Sequence, residues 1–201
     1  MNWSELYTLI AITMVTIVTP GPDFLIVVKN TLSGSRVAGI QTAFGISTAI
    51  WVHIAYSMLI VNLATTQSAI LMDILRYCGA AYLFYLGIKA ITSTPMPNNV
   101  QTVNTVGAKY WRQGFLNNVL NPKATLFFLS VFSQVIAPNI SFSQQLWYGV
   151  VITAICLTWF CLVPILLTIE KVKPLLDKIM YPFEKIAGIL FISYALKSIF
   201  I

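Results

Sequence analysis

The sequence predicts an all-α, polytopic membrane protein: six transmembrane helices in two inverted three-helix halves, with the first and fourth helices broken. Three observations lead there. Of 201 residues, 58% are hydrophobic and only 9% charged, with a mean hydropathy of +0.81, which is too little charge to coat a soluble domain of this size. The apolar residues gather into continuous runs of about 20, the length that crosses a hydrocarbon core. Barrel strands would instead alternate over about 10 residues. Finally, one kind of interruption recurs in the first and fourth runs, as Thr19-Pro20-Gly21-Pro22-Asp23 and Asn121-Pro122-Lys123.

The first span is expected at 6–28. Its leader, MNWSE, carries no positive charge and the run is longer than a signal-peptide core, so the segment is expected to stay in the mature protein. The second span, 39–62, carries Thr42, Gly45, Ala49, His53 and Tyr56 at three- and four-residue spacing. Those residues form one small and polar helix face, expected to turn toward protein. The third span, 69–91, holds Tyr77, Tyr82, Phe84 and Tyr85, read as packing or interfacial anchors. The polar stretch TSTPMPNNVQTVNTVG, 92–107, follows as the joint between halves at about 1–92 and 107–201 of a single domain. The fourth span is expected at 114–137, the fifth at 146–169 and the sixth at 183–201. GIKAI at 87–91 and ALKSI at 195–199 end the third and sixth spans alike, a hint of an internal repeat. Cys78, Cys156 and Cys161 form no CxxC pair and lie in apolar runs, so they read as packing residues, with no metal, redox centre or other cofactor implied.

Basic residues set the orientation. Lys29, Arg36, Lys89, Lys109, Arg112, Lys171, Lys173, Lys178 and Lys185 follow spans one, three and five, whereas the other side has only Arg76 and Lys197. Both termini are therefore expected outside the cytoplasm. The net charge of +6 is a topology signal and gives no support to a nucleic-acid partner.

In lipid, a freed backbone N–H or C=O costs several kcal/mol, so a break persists only where protein or a water-filled cavity covers it. Gly/Pro interruptions in corresponding spans of two halves point to a transporter's binding site. Both breaks also read as helix starts: Asn121 is a good N-cap before Pro122, and Thr19 or Gly21 can precede a start at Pro20 or Pro22. A helix N-terminus suits a carboxylate. Asp23 and Lys123 add a fixed anion and cation, and together these groups suit a zwitterion such as an amino acid. The alternative is a structural pair in which the two charges serve each other. His53, the one histidine, is either a proton relay or substrate contact or a satisfied packing residue.

These residues bring the chain close to a known family. TPGPDFLIVVKNTLSGSRVAGIQTAFGI at 19–46, GAAYLFYLGIKAI at 79–91 and GFLNNVLNPKATLFFLSVF at 114–132 resemble the LysE/RhtB family of bacterial amino-acid exporters over nearly the whole chain. The resemblance implies an inner-membrane protein of about six helices that exports amino acids, driven by the proton motive force, with a homodimer as a family habit. It places Pro20, Gly21, Pro22, Asp23, Asn121, Pro122 and Lys123 near the pathway. Many relatives look to have Asn where this chain has Asp23, and FISYALKSI is less glycine-rich than the family's usual ending.

An alternating-access mechanism follows as the expectation, with Asp23 and Lys123 paired when empty, a neutral amino acid replacing that pair, and Asp23 or else His53 carrying the proton. No enzyme is expected. A diaspartyl protease needs a second carboxylate in lipid, and Asp73 and Asp177 lie at a span edge and in a loop. A serine protease needs a positioned base. The rival readings are a membrane thiol carrier, which needs a cysteine pair beside the prolines, and a small-solute channel.

Overall fold

The computed structural model describes residues 3–67, 69–92, 108–134, 141–169, 182, 185–186 and 188–196. Within these the chain is all-helical, as its composition requires. The order is α1 (Trp3–Val18), α2 (Pro22–Ser33), α3 (Arg36–Gln67), α4 (Ala69–Thr92), α5 (Ala108–Val119), α6 (Pro122–Gln134) and α7 (Phe142–Leu167). A further helical stretch runs over 188–196. Most of the joint at 92–107, the lysines at 171, 173 and 178, and the end of the expected sixth span lie outside the described residues.

The first expected span is two helices, α1 and α2, meeting at 52°. The second lies within α3, the third is α4, the fourth divides into α5 and α6, and the fifth is α7. Among the described residues, two helices, Arg36–Ala64 within α3 and Phe142–Leu167, are long and apolar enough to cross a membrane, and α1 with α2 make a third if the bent pair is one span.

One expected boundary is corrected. The apolar run at 114–137 places the second break early in its span, yet α5 begins at Ala108, so α5 and α6 have 12 and 13 residues and the break is central. Lys109, Arg112 and Gln113 in the first turns of α5 lower the local hydropathy without interrupting the helix. The first break divides 16 residues from 12, so the two breaks are closer to equivalent than their apolar runs suggest.

The central element is α3, which packs against α2, α4, α5, α6 and α7. The face read from its spacing is the buried one: Thr42, Ala49 and His53 are inside, while Phe44, Trp51, Val52 and Leu59 point outward. Its partner α5 approaches until the main chains touch. A Cβ on Gly45 would overlap the carbonyl of Trp111, and one on Gly114 would overlap the carbonyl of Thr42. Lipid supplies no hydrophobic drive between apolar helices, so close approach through small residues is what holds such a pair. The apolar core beside it joins Leu9 and Ile12 of α1, Ile46 and Ile50 of α3, Phe127 and Val131 of α6, and Ile152 and Phe160 of α7.

The α3–α5 crossing gives a first prediction. Gly45→Val drives side-chain atoms into a backbone carbonyl and is expected to destabilise the protein by about 3 kcal/mol or more. Gly149→Ala meets first the tip of Ile54, at 3.1 Å, and is expected to cost much less. Thermal unfolding of the two purified variants in detergent measures the difference.

Candidate functional site

At the first break, Pro22 takes the first helical position of α2 and Gly21 is its N-cap, with extended φ and ψ of −157° and −175°. Any residue adopts that conformation, so space is what favours glycine. A Cβ at this position would stand 3.2 Å from Lys123 Nζ and 3.3 Å from its Cδ. Pro22 has no N–H to satisfy, and Asp23 in the first turn faces the positive end of the helix dipole.

At the second break, Asn121 caps α6: its Oδ1 accepts from the backbone N–H of Lys123 at 2.9 Å. Of the alternatives open in the sequence, the structure selects Gly21 before Pro22 in one break and bears out Asn121 before Pro122 in the other.

Each break is completed by residues from outside it. Lys123 Nζ donates to the carbonyls of Thr16 and Thr19, at 3.1 and 3.0 Å, which α1 leaves free where it ends. Asp23 accepts from three side-chain amides of the second break. Asn117 Nδ2 binds Oδ1 at 2.8 Å, while Asn118 and Asn121 bind Oδ2 at 3.0 and 2.9 Å. All three partners are donors, matched to an acceptor-only carboxylate. The carbonyl of Asn118 accepts from His53 Nε2 at 2.9 Å. A carbonyl can only accept, so Nε2 carries the hydrogen, and in the neutral imidazole the Tyr56 hydroxyl donates to Nδ1 at 2.6 Å. Phe128 stacks on the imidazole with centroids 5.5 Å apart.

Thus Pro20, Gly21, Pro22, Asp23, Asn121, Pro122 and Lys123 converge at one place. His53 joins them through Asn118. Each charge is compensated by neutral dipoles as well as by the opposite charge. His53 has polar partners at both ring nitrogens and is joined to Asp23 through Asn118.

Sequence reading missed Asn117, Asn118 and Tyr82. The signal was present as three asparagines within five positions of an apolar run, NNVLN at 117–121. Tyr82 was read as an anchor, yet its hydroxyl donates to the carbonyl of Lys123 at 3.1 Å.

Two cavities meet at the breaks. The deeper one, about 40 Å³, is bounded by Asp23, Asn118 and Lys123 and by apolar walls that include Ile50, Phe128 and Cys156. It has room for about three waters at ~10–15 Å³ each. The larger, about 500 Å³, is lined by Pro20, Tyr82, Tyr85, Lys89 and Pro122. Thr19, Gly21, Pro22, Asn121 and Lys123 border both. At the far end of α1, the Tyr148 hydroxyl donates to Glu5 at 3.1 Å, and Asn62 and Gln145 exchange amide bonds at 3.5 and 3.3 Å. Among the described residues, no group of three or more His, Cys, Asp or Glu gathers as metal ligands.

The model of the LysE type translocator family matches residues 14–200. The chain is 28% identical over 205 residues to the uncharacterized membrane protein YrhP of Bacillus subtilis strain 168, covering 96% of this chain and 98% of that protein. It is 26% identical over 203 residues to the threonine efflux protein of Salmonella typhi, covering 96% of each. Over 139 residues it is 35% identical to the leucine efflux protein of Salmonella choleraesuis strain SC-B67, covering 67% of this chain and 62% of that protein. No solved structure matches.

Asn121 serves both breaks, so its loss is expected to exceed that of an ordinary cap. Asn121→Ala removes the α6 cap, about 1 kcal/mol, and one charge-assisted bond to Asp23, about 1.5–3 kcal/mol. The expected outcome is a lowered unfolding temperature in detergent, with Asn121→Asp lower still because a second carboxylate then faces Asp23.

Proposed function

Because the chain belongs to the LysE type translocator family, we propose that it exports amino acids, neutral ones or close derivatives, from the cytoplasm as a secondary transporter coupled to the proton motive force. The membrane is the bacterial inner membrane. The interlocked pair of breaks carries this reading, because it sets one fixed anion and one fixed cation at the boundary of two cavities. The names of the threonine and leucine efflux relatives support the substrate class.

In this reading α1–α2, α3, α4, α5–α6, α7 and the segment around 188–196 are six spans with both termini outside, and the halves are inverted copies. Two packing relations support the symmetry. α3 packs against both pieces of the fourth span, and α7 against both pieces of the first. The contact of α4 with the last segment is reciprocal: a Cβ on Gly87 would stand 2.8 Å from the carbonyl of Gly188, and one on Gly188 2.7 Å from that of Gly87.

The cycle begins with substrate entering the larger cavity beside Lys89. Its carboxylate draws Lys123 Nζ from the carbonyls of Thr16 and Thr19, and its ammonium binds Asp23. Charge stays compensated at each stage, which spares the several kcal/mol that an unpaired buried ion costs. The halves then rock and the site opens outward. A proton entering as substrate leaves contributes ~2.3 kcal/mol per 100 mV, with Asp23 the first candidate carrier and His53 the second. The small volume of the deeper cavity favours alternating access over an open channel. A thiol carrier needs a cysteine pair beside the prolines, and of the three cysteines Cys156 alone lines the cavity there.

Inverted vesicles given labelled neutral amino acids test this. Uncoupler-sensitive accumulation against a gradient is the expected result, whereas mere equilibration would indicate a channel. Lys123→Met is expected to lower kcat/KM by 10-fold or more, the loss of one hydrogen bond to a charged group, and unchanged export in that variant would sink the zwitterion clamp. Loss of uncoupler sensitivity in Asp23→Asn assigns the proton to Asp23; its retention moves the proton to His53 or elsewhere.

A further inference from the structure

Export of an amino acid leaves open which side chain the cargo carries, and the two cavities bear on that. The deeper one, about 40 Å³, has room for a few waters and not for a whole amino acid. A cargo whose charged head meets Asp23 and Lys123 therefore keeps its side chain in the larger cavity, about 500 Å³. The two spaces share Asn121 and Lys123 as lining residues, so head and side chain can occupy them together.

The larger cavity has a largely apolar wall. Tyr82, Tyr85, Leu86 and Lys89 follow three- and four-residue spacing along α4 and so share one helix face, and Leu126 of α6 and Phe191 line the same space. Three hydroxyls on its walls are committed to the main chain: Tyr82 donates to the carbonyl of Lys123, Thr19 to that of Val15 and Thr92 to that of Ile88. A cargo hydroxyl receives no hydrogen bond from any of these and gives up water to stand against leucine and phenylalanine, which is unfavourable. Among the described residues, the charged side chains lining the cavity are Lys89 and Lys123. Both are cations. The α4 face rises ~10 Å from Tyr82 to Lys89, so a cargo side chain long enough to carry an ammonium along this wall approaches a like charge.

We propose that this wall is the side-chain subsite, and that Leu126, one turn beyond Lys123 in α6, is a specificity residue that makes the protein prefer large aliphatic side chains over hydroxylated or cationic ones. The cargo is then leucine-like and not threonine-like or lysine-like. This rests on the export reading above and narrows its substrate class.

The test compares uptake of labelled leucine, threonine and lysine by inverted vesicles carrying wild type, Leu126→Ser or Leu126→Met. Wild type is expected to prefer leucine to each of the others by about 10-fold or more in kcat/KM. Leu126→Ser is expected to lower the leucine-to-threonine ratio by about 10-fold, whereas Leu126→Met, which conserves volume, keeps it. A change in the amount of protein in the membrane scales all substrates alike and leaves that ratio untouched, so a merely structural role for Leu126 would not move it. Threonine or lysine handled by wild type as well as leucine overturns the subsite and leaves export standing, and an unchanged ratio in Leu126→Ser also overturns it. Should Leu126→Ser fail to reach the membrane, the wild-type ratios decide alone. Absence of uptake for every amino acid in wild type instead overturns the export reading itself, and this subsite with it.

Discussion

A helix broken inside a membrane protein leaves main-chain groups that neither lipid nor the helix can satisfy, and this chain has two such breaks. Each is completed by side chains from the other. Lys123, from the start of α6, binds the carbonyls that α1 leaves at its end. Asparagines at the end of α5 and the start of α6 bind the acid that opens α2. Each break thus takes part of its hydrogen bonding from the other, and the remaining structure holds the two in register. The glycine contact of α3 with α5 fixes the position of Asn117 and Asn118, while α7 supplies Cys156 and Phe160 as walls.

An acid and a base coexist in this apolar interior because each is compensated by several groups. Side-chain amides donate three hydrogen bonds to Asp23 and carbonyls accept two from Lys123, beside the attraction between the two charges. His53 belongs to the same network through the carbonyl of Asn118, so a change in the protonation of either group reaches the other through one residue.

Much of this was legible in the sequence because it depends on local chemistry. Proline and glycine inside an apolar run mark a break in any context, Asn before Pro marks a cap, and small residues at helical spacing mark the buried face of α3. The partners were not legible. Asn117 and Asn118 matter because a helix nearly a hundred positions away delivers Asp23 to them, and no periodicity in α5 encodes that meeting. Tyr82 looked like one aromatic among several until its hydroxyl was placed against Lys123. The start of α5 was obscured for another reason. A helix continues through charged residues where an apolar count stops, so its break looked off-centre.

The crossing at Gly45 and Gly114 has a mechanical consequence. Packed side chains adjust by changing rotamer, but two main chains in contact have no such freedom, and sliding one along the other would require lifting it clear of the next carbonyl. α3 and α5 are therefore a single stiff beam. α6 follows that beam in the chain through Leu120 and Asn121, between the two helices, and also packs on it where Phe128 stacks on His53; any turning of α6 against the beam passes through the torsions of those two residues. Asn121, which holds the acid, thereby stands at the pivot.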